Sequence, residues 1–268
     1  MPDRTSAQGG ASAFAPLPPE LEAVAIEAAA EGARVIRAAA GDLGTVRTKS
    51  TRTDPVTSLD LASERAIRAV IERRTPNATV LGEEDGIVAG SSDVGWVIDP
   101  IDGTVNLTYD LPVMSVSVAA TLEGRVVAGA VVDILREDVF SASHGGGARR
   151  GGIAIGASAV DDLADALVGT GFAYTPDGRA HEAAYLQRVL PAARDIRCFG
   201  SAALNLCWVA CGRLDGFYQR NMQYWDYAAG ALVAAEAGAR LEWPTATNGH
   251  LMVVSGPAIH DALRRLVA

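Results

Sequence analysis

Around Pro76 the hydrophobic pattern of the chain changes from a helical period to a strand period. Before this point, apolar residues recur every three or four positions within residues 20–40 and 58–71, which predicts two helices. After it, runs such as TVLG, GWVID and MSVSVAATLEGRVVAGAVVD are rich in β-branched residues, and Glu123-Gly124 divides the last run as a hairpin turn would. The order predicts an α+β half in which helices cover a large sheet.

Beyond residue 156 the pattern changes again, because short strand-like runs such as IRCF, DGFY and LMVVSG alternate with helical stretches. This alternation predicts an α/β second half. We therefore expect a flexible tail over residues 1–18, an N-terminal half over 19–156 and a C-terminal half over 157–268, joined in one compact unit. The tail is expected because its Gly, Pro, Ser and Ala residues show no periodicity.

Charge and composition exclude several functional classes. The chain has 268 residues, with 23 basic and 32 acidic side chains and a net charge of −9, so it should not bind nucleic acid or an anionic membrane surface. No apolar run approaches the ~20 residues that a spanning helix needs, and the first residues lack a secretory pattern. We expect a cytoplasmic protein whose three cysteines form no disulfide framework.

Three acidic clusters follow apolar strands or begin helices: Gly82-Glu83-Glu84-Asp85, Asp99-Pro100-Ile101-Asp102-Gly103-Thr104 and Trp225-Asp226. Each of the first two clusters, taken alone, could be an ordinary turn or solvated loop. Carboxylates that converge repel one another unless a cation neutralises them, and oxygen ligands without Cys or His favour Mg²⁺ over Zn²⁺. Together the clusters predict a site for hard divalent cations.

The middle cluster carries the most information. Pro100 cannot continue regular strand pairing, so Asp99 and Asp102 can face the same ions from either side of a tight turn. Gly103 allows a ligand to approach the backbone, and the N–H groups of Gly103 and Thr104 would bind an anion if they open a helix. Metal carboxylates beside an anion site predict phosphate chemistry.

The strings GEEDG, WVIDPIDGTVN and WDYAAGALVAAEAGA, in this order, resemble the three signatures of the inositol monophosphatase family of Mg²⁺-dependent, lithium-sensitive phosphatases. The resemblance extends from Leu21 to Ala268. It implies the layered αβαβα sandwich that this family shares with fructose-1,6-bisphosphatases. It also implies a homodimer, two or three Mg²⁺ ions and a small phosphate ester as substrate.

The resemblance also assigns roles to individual residues. Glu83 would bind the first metal and orient water, Asp99 would bridge two metals, and the Ile101 carbonyl would complete the first site. Asp102 and Asp226 would hold the second ion. The remaining implied roles are Thr104 with Asp60 for activation of the water, Glu84 as a neighbour of the metal ligands, and Lys49 for a mobile loop near a third, weaker metal site.

Two of these residues have simpler interpretations that the sequence leaves open. Asp60 could serve only as a negative charge at the N-terminus of its helix. Lys49 could be an ordinary exposed lysine in a polar loop.

Substrate contacts are expected from Gly200, Ser201 and Ala202, which resemble a G-[ST]-A element that touches inositol hydroxyls, together with Asp102, Gly103 and Thr104. Ser201 could equally be a helix cap. Gln219 stands seven residues before Asp226, where close inositol monophosphatases carry a glutamate. A neutral amide weakens the hydrogen bonds available to the ring hydroxyls, so selectivity for inositol is expected to be reduced.

The expected function is hydrolysis of inositol 1-phosphate by a metal-activated water. Histidinol phosphate, fructose 1,6-bisphosphate and a 3′-phosphonucleotide are alternative substrates for the same chemistry. A non-catalytic regulatory partner, for instance of the transcription machinery, is the alternative from a different functional class.

Overall fold

The computed structural model describes residues 17–39, 46–48 and 55–268. Most of the expected tail, and Lys49, lie outside the described residues. Two helices open the chain as predicted, α1 over Pro18–Ala38 and α2 over Ser58–Arg74. Strands β1 (Val46–Thr48) and β2 (Pro55–Thr57) pair antiparallel just before α2.

An eight-stranded mixed sheet follows, in the spatial order β10-β9-β8-β7-β6-β5-β3-β4. Its strands are β3 (Thr79–Gly82), β4 (Gly86–Val88), β5 (Val94–Asp102), β6 (Ser115–Leu122), β7 (Arg125–Asp133), β8 (Val139–Ser143), β9 (Gly147–Arg150) and β10 (Ile153–Ala154). The short helix α3 (Thr104–Thr108) follows β5 after one residue. As predicted, β6 and β7 form a hairpin, whose turn residues Glu123 and Gly124 both have positive φ.

A second, five-stranded sheet has the order β12-β11-β13-β15-β14. Its strands are β11 (Leu167–Thr170), β12 (Asp195–Cys198), β13 (Gly216–Arg220), β14 (Arg240–Glu242) and β15 (Leu251–Ser255). The helices of this half are α4 (Pro176–Val189), α5 (Ala202–Ala210), α6 (Tyr224–Glu236) and α7 (His260–Val267). Helix α4 begins at Pro176, because Thr175 caps it by accepting from Gly178 N.

Five layers result from the way these elements pack. Helices α1 and α2 cover one face of the large sheet, and their shared core includes Leu21, Ile67 and Ile98. Helices α5 and α6 fill the space between the two sheets, and α4 and α7 lie outside the small sheet. The predicted αβαβα layering is confirmed.

The end of β5 departs from regular pairing at the predicted place. Asp99 pairs with Ser117 and Asp102 with Ser115, so two residues between the aspartates face one residue of β6. Pro100 lacks the N–H that the ladder needs, which explains why the irregularity falls there. The bulge turns the end of β5 towards α3 and towards the N-termini of α5 and α6.

Candidate active site

Thr104 and Asp60 are brought together from positions 44 residues apart. Thr104 Oγ1 lies 3.1 Å from Asp60 Oδ1 and 3.0 Å from the carbonyl oxygen of Ile101, so its one proton can be donated to either acceptor. The other carboxylate oxygen of Asp60 accepts from Thr57 N at 2.8 Å and from Thr57 Oγ1 at 2.7 Å. Asp60 thus caps α2 and contacts Thr104 at the same time.

Asp99 is at the centre of the carboxylate cluster. Its side chain is buried, and burial is the largest cause that raises its pKa well above the usual range. The negative charges of Glu83, Asp102 and Asp226 raise the pKa of Asp99 further, as does a hydrogen bond with the Glu83 carboxyl group. Three separate segments of the chain therefore place acidic groups around one buried carboxyl.

Asp102 is held by the first turn of α5. Ser201 Oγ donates to Asp102 Oδ2 at 2.6 Å, and the backbone N–H groups of Ala203 and Ala202 donate to its two oxygens at 2.7 and 3.2 Å. Burial raises the pKa of Asp102 to about 6 despite these donors, which lower it. Asp102 consequently links the large-sheet half to the predicted substrate element.

Asp226 lies in the first turn of α6, where its Oδ2 accepts from Gln223 N at 2.7 Å. Ser117 Oγ donates to the carbonyl oxygen of Trp225 at 3.4 Å, so β6 contacts the residue immediately before Asp226. The position of Asp226 relative to β5 is therefore fixed by the packing of α6 on the large sheet.

The chemistry of these donors fits divalent magnesium. Glu83, Asp99, Asp102 and Asp226 supply oxygen atoms only, and buried carboxylates at close range are stable as anions only with a compensating charge. In the described residues no three His, Cys, Asp or Glu side chains already form a metal-ligand arrangement. Besides burial, the raised pKa of Asp99 reflects the repulsion among these carboxylates, which a bound divalent cation would offset.

Two of the predicted substrate residues, Ser201 and Ala202, lie beside this cluster, because both donate to Asp102. Gly200 has φ +81°, and a Cβ there would come within 2.8 Å of Asn106 Nδ2, so glycine is required. Ser201 caps α5 by accepting from Leu204 N, as the simpler interpretation expected, and it also donates to Asp102. Gln219, on β13, packs against Gly171, where a Cβ would lie 2.0 Å from its Oε1.

Three residues with contacts to the site were not singled out in the sequence. Ser63 Oγ donates to the carbonyl oxygen of Pro100 at 3.0 Å, and Glu64 Oε2 accepts from Glu84 N at 2.9 Å. Asn106 Nδ2 donates to the carbonyl oxygen of Phe199 at 2.6 Å. The sequence did offer a signal for two of them. Ser63 and Glu64 follow Asp60 by three and four residues, so all three polar side chains lie on the same face of α2.

Comparison with known proteins identifies the family. The model of the "Inositol monophosphatase family" matches residues 18–264. The chain belongs to the inositol monophosphatase family. It is 45% identical to a protein named inositol-1-monophosphatase from Mycobacterium leprae, with 92% of each chain covered.

Two further relatives bear on function and structure. The solved structure of Mycobacterium tuberculosis SuhB superposes with a TM-score of 0.82 at 41% identity, covering 94% of this chain and 97% of that one. A Pasteurella multocida protein named Nus factor SuhB is 37% identical over 81% of this chain and 84% of its own. Membership of the family confirms the predicted enzyme class, a phosphatase.

Two other features concern helix length and the cysteines. Within this part of the chain, no helix combines the length and apolarity that crossing a bilayer would require. Cys198, Cys207 and Cys211 are free thiols.

Proposed function

We propose that this protein is a Mg²⁺-dependent phosphomonoesterase whose main substrate is inositol 1-phosphate. The observation that carries the proposal is the pairing of Thr104 with Asp60 beside a buried carboxyl that is surrounded by three other acidic side chains. Such a set is poorly suited to a purely structural role, because burying like charges together opposes folding.

The proton of the attacking water needs an acceptor, and Thr104 with Asp60 supplies one. Thr104 Oγ1 accepts a hydrogen bond from the water while it donates its own proton to Asp60 Oδ1. Attack forms a P–O bond while the proton of the water passes through Thr104 to Asp60, and the ester P–O bond breaks. The departing alkoxide takes a proton from solvent, and Asp60 returns its proton to solvent. Thr57 donates two hydrogen bonds to the other oxygen of Asp60, which keep that carboxylate oriented.

Glu83, Asp99, Asp102, Asp226 and the Ile101 carbonyl would hold the ions. Bound Mg²⁺ supplies positive charge that stabilises the phosphoryl oxygens and makes water more acidic. Divalent charge held among these carboxylates would offset the repulsion within the cluster. Two or three ions are proposed, and inhibition by lithium is expected from the family.

The substrate ring would lie between the N-terminus of α5 and β13. Gly200, Ser201 and Ala202 would meet hydroxyl groups, with Gln219 on the opposite side. Because Gln219 is neutral, its hydrogen bond to a hydroxyl should contribute about 1 kcal/mol, against ~1.5–3 kcal/mol for a charged partner. This supports weaker selectivity for inositol than a glutamate would give.

Release of phosphate from inositol 1-phosphate, measured with and without Mg²⁺, tests the proposal. We expect Mg²⁺-dependent turnover that Asp102→Asn abolishes. Absence of turnover in the parent, or equal turnover in Asp102→Asn, would contradict it. The ratio of kcat/KM values for histidinol phosphate, fructose 1,6-bisphosphate and a 3′-phosphonucleotide then ranks the alternative substrates.

A regulatory role is the second candidate, and the name of the Pasteurella multocida relative favours it. Binding to purified RNA polymerase, measured for the parent and for Asp226→Asn with and without Mg²⁺, separates the two functions. Equal binding in all four cases would support a role that is independent of the metal site. The net charge of −9 favours protein contacts over direct contacts with RNA.

A cytoplasmic homodimer is also part of the proposal. Leu111 and Leu135 are half-exposed on adjoining segments, which are joined by a hydrogen bond from Arg136 Nη1 to the carbonyl oxygen of Pro112. Apolar side chains on neighbouring loops suit contact with a second copy. Sedimentation equilibrium of the parent and of Leu111→Glu tests the dimer, and a monomeric parent would contradict it.

A further inference from the structure

Helix α2 contacts every segment that carries the candidate chemistry on the large-sheet side. Asp60 meets Thr104, and Ser63 donates to the carbonyl oxygen of Pro100, between Asp99 and Ile101. The third contact is made by Glu64, one helical turn beyond Asp60 and therefore on the same face. The proposed reaction assigns no role to Glu64.

Glu64 accepts hydrogen bonds from the backbone of the turn that follows Glu83. Its side chain is fully buried, its Oε2 accepts from Glu84 N at 2.9 Å, and its Oε1 accepts from Asp85 N at 3.1 Å. A carboxylate that accepts consecutive backbone N–H groups fixes both peptide planes. The backbone direction at Glu83 is therefore set by a side chain from α2.

Arg68, in the next turn of α2, contacts both Glu64 and the same backbone turn. Its Nη2 and Nε donate to Glu64 Oε1 at 2.7 and 2.9 Å, and Nη2 also donates to the carbonyl oxygen of Gly86 at 2.9 Å. The guanidinium thus compensates the buried charge of Glu64 and holds the far end of the same turn. Together the pair contacts the backbone at residues 84, 85 and 86, after Glu83, and Arg68 Nη1 also donates to the carbonyl oxygen of Val80, before it, at 3.5 Å.

The sequence of the turn is adapted to this contact. A Cβ at position 82 would lie 2.3 Å from Glu64 Oε1 and 2.6 Å from Arg68 Nη2, so only glycine leaves room for the pair. Gly82 is the last residue of β3, and Glu83 follows it directly. The close approach thus falls immediately beside the predicted metal ligand.

We infer that Glu64 and Arg68 are positioning residues for Glu83, which fix the direction from which its carboxylate reaches the cation. The inference rests on the proposed function only in that Glu83 is taken as a metal ligand. An ion pair that serves folding alone could contact the backbone anywhere, whereas this one contacts the backbone on both sides of Glu83, at Val80 and at residues 84, 85 and 86. Residues that orient metal ligands typically contribute a factor of about 10–100 in metal affinity.

The variant Glu64→Gln tests this inference, because it keeps the size of the side chain and one acceptor oxygen but loses its charge. We expect the affinity for Mn²⁺, measured by electron paramagnetic resonance, to fall about 10–100-fold. The Mg²⁺ concentration for half-maximal phosphatase activity should rise by the same factor. The KM for substrate at saturating Mg²⁺ should stay within about twofold, since Glu64 lies on the metal side of the site.

A matched control is available in α1. Glu22 is another buried glutamate, and it accepts from Ser141 Oγ at 2.8 Å on the helix-covered face of the large sheet. Glu22→Gln should lower the thermal stability but leave Mn²⁺ affinity unchanged. If Glu64→Gln also leaves Mn²⁺ affinity unchanged, the inference is wrong.

Arg68→Lys provides a second test should Glu64→Gln fail to fold, because the charge is kept and the contact with Gly86 is lost. Its Mn²⁺ affinity should fall by a smaller factor than in Glu64→Gln, and an unchanged affinity would overturn the inference. The Mn²⁺ measurement needs no turnover. A parent that binds Mn²⁺ but hydrolyses no ester would therefore refute the proposed reaction while leaving this inference open to the same test.

Discussion

The two halves of the site are built in different ways. On the large-sheet side, Asp60, Glu64 and Asp99 are buried and tied to partners far away in sequence. On the small-sheet side, Gln219 is half-exposed, and its tight contact is with the backbone of Gly171. Changes in the first half must disturb several partners, whereas a change at Gln219 disturbs few. The contrast indicates that substitution is more constrained at Asp60, Glu64 and Asp99 than at Gln219.

The largest effect is expected from the cluster around Asp99. Asp226→Asn removes a charge but keeps the oxygen that accepts from Gln223 N, so α6 should still form. We expect kcat/KM to fall about 10³-fold or more, equivalent to at least ~4 kcal/mol of transition-state stabilisation. Steady-state kinetics together with the thermal midpoint would check this. A tenfold loss or less would place Asp226 outside the reaction.

A somewhat smaller loss is expected when the proton acceptor is removed. Thr104→Val keeps the shape of the side chain but cannot donate to Asp60, and kcat should fall by about 10²–10⁴-fold. Asp60→Asn should cost a similar factor. Because the two residues act as a unit, the double variant should be little worse than either single one. Independent, multiplying losses would show that the two residues do not form a relay.

In the metal-free protein, the repulsion within the cluster should appear in the pH dependence of the free energy of unfolding. The folded state raises the pKa of Asp99 and that of Asp102, the latter to about 6. It therefore binds more protons than the unfolded chain above about pH 4, and the contribution of these groups to the free energy of unfolding falls as pH rises. Relative to the parent, Asp102→Asn in EDTA should become more stable between pH 4.5 and 7.

Thermal midpoints of both proteins across this pH range would measure the difference. A constant offset between parent and variant would indicate that Asp102 titrates as an ordinary exposed carboxyl. Added Mg²⁺ should raise the midpoint of the parent more than that of the variant, because a ligand that binds the folded state stabilises it.

The smallest effect is expected on the small-sheet side. Gln219→Glu should lower the KM for inositol 1-phosphate about three- to tenfold, from ~1 kcal/mol of added hydrogen-bond energy, with kcat little changed. Comparison of KM values for inositol 1-phosphate and a simpler polyol phosphate would show whether the gain is selective. A loss in kcat comparable to that of Thr104→Val would erase the contrast between the halves.

Much of the architecture could be predicted because its causes are local. The change of period at Pro76, the turn at Glu123-Gly124 and the bulge at Pro100 each follow from a few neighbouring residues. The roles assigned to Glu83, Asp99 and the other ligands stay predictions, although the acidic groups do surround Asp99.

The remaining features depend on long-range contacts that no local pattern encodes. Asp102 meets Ser201 across 99 residues, and Asn106 meets Phe199 across 93. Glu64 appears in the sequence as one more charged residue of a helix, and only the packing of α2 against β5 and against the turn after β3 shows that it is buried. A buried, charge-paired glutamate is therefore recognisable from the fold and not from the sequence.

A crystal structure of the parent grown with Mn²⁺ and a non-hydrolysed phosphate ester would test the central claim most directly. Anomalous scattering should place metal between Asp99 and its three acidic neighbours, with Thr104 and Asp60 still paired beside it. Well-ordered carboxylates around Asp99 with no anomalous peak at saturating Mn²⁺ would contradict the account.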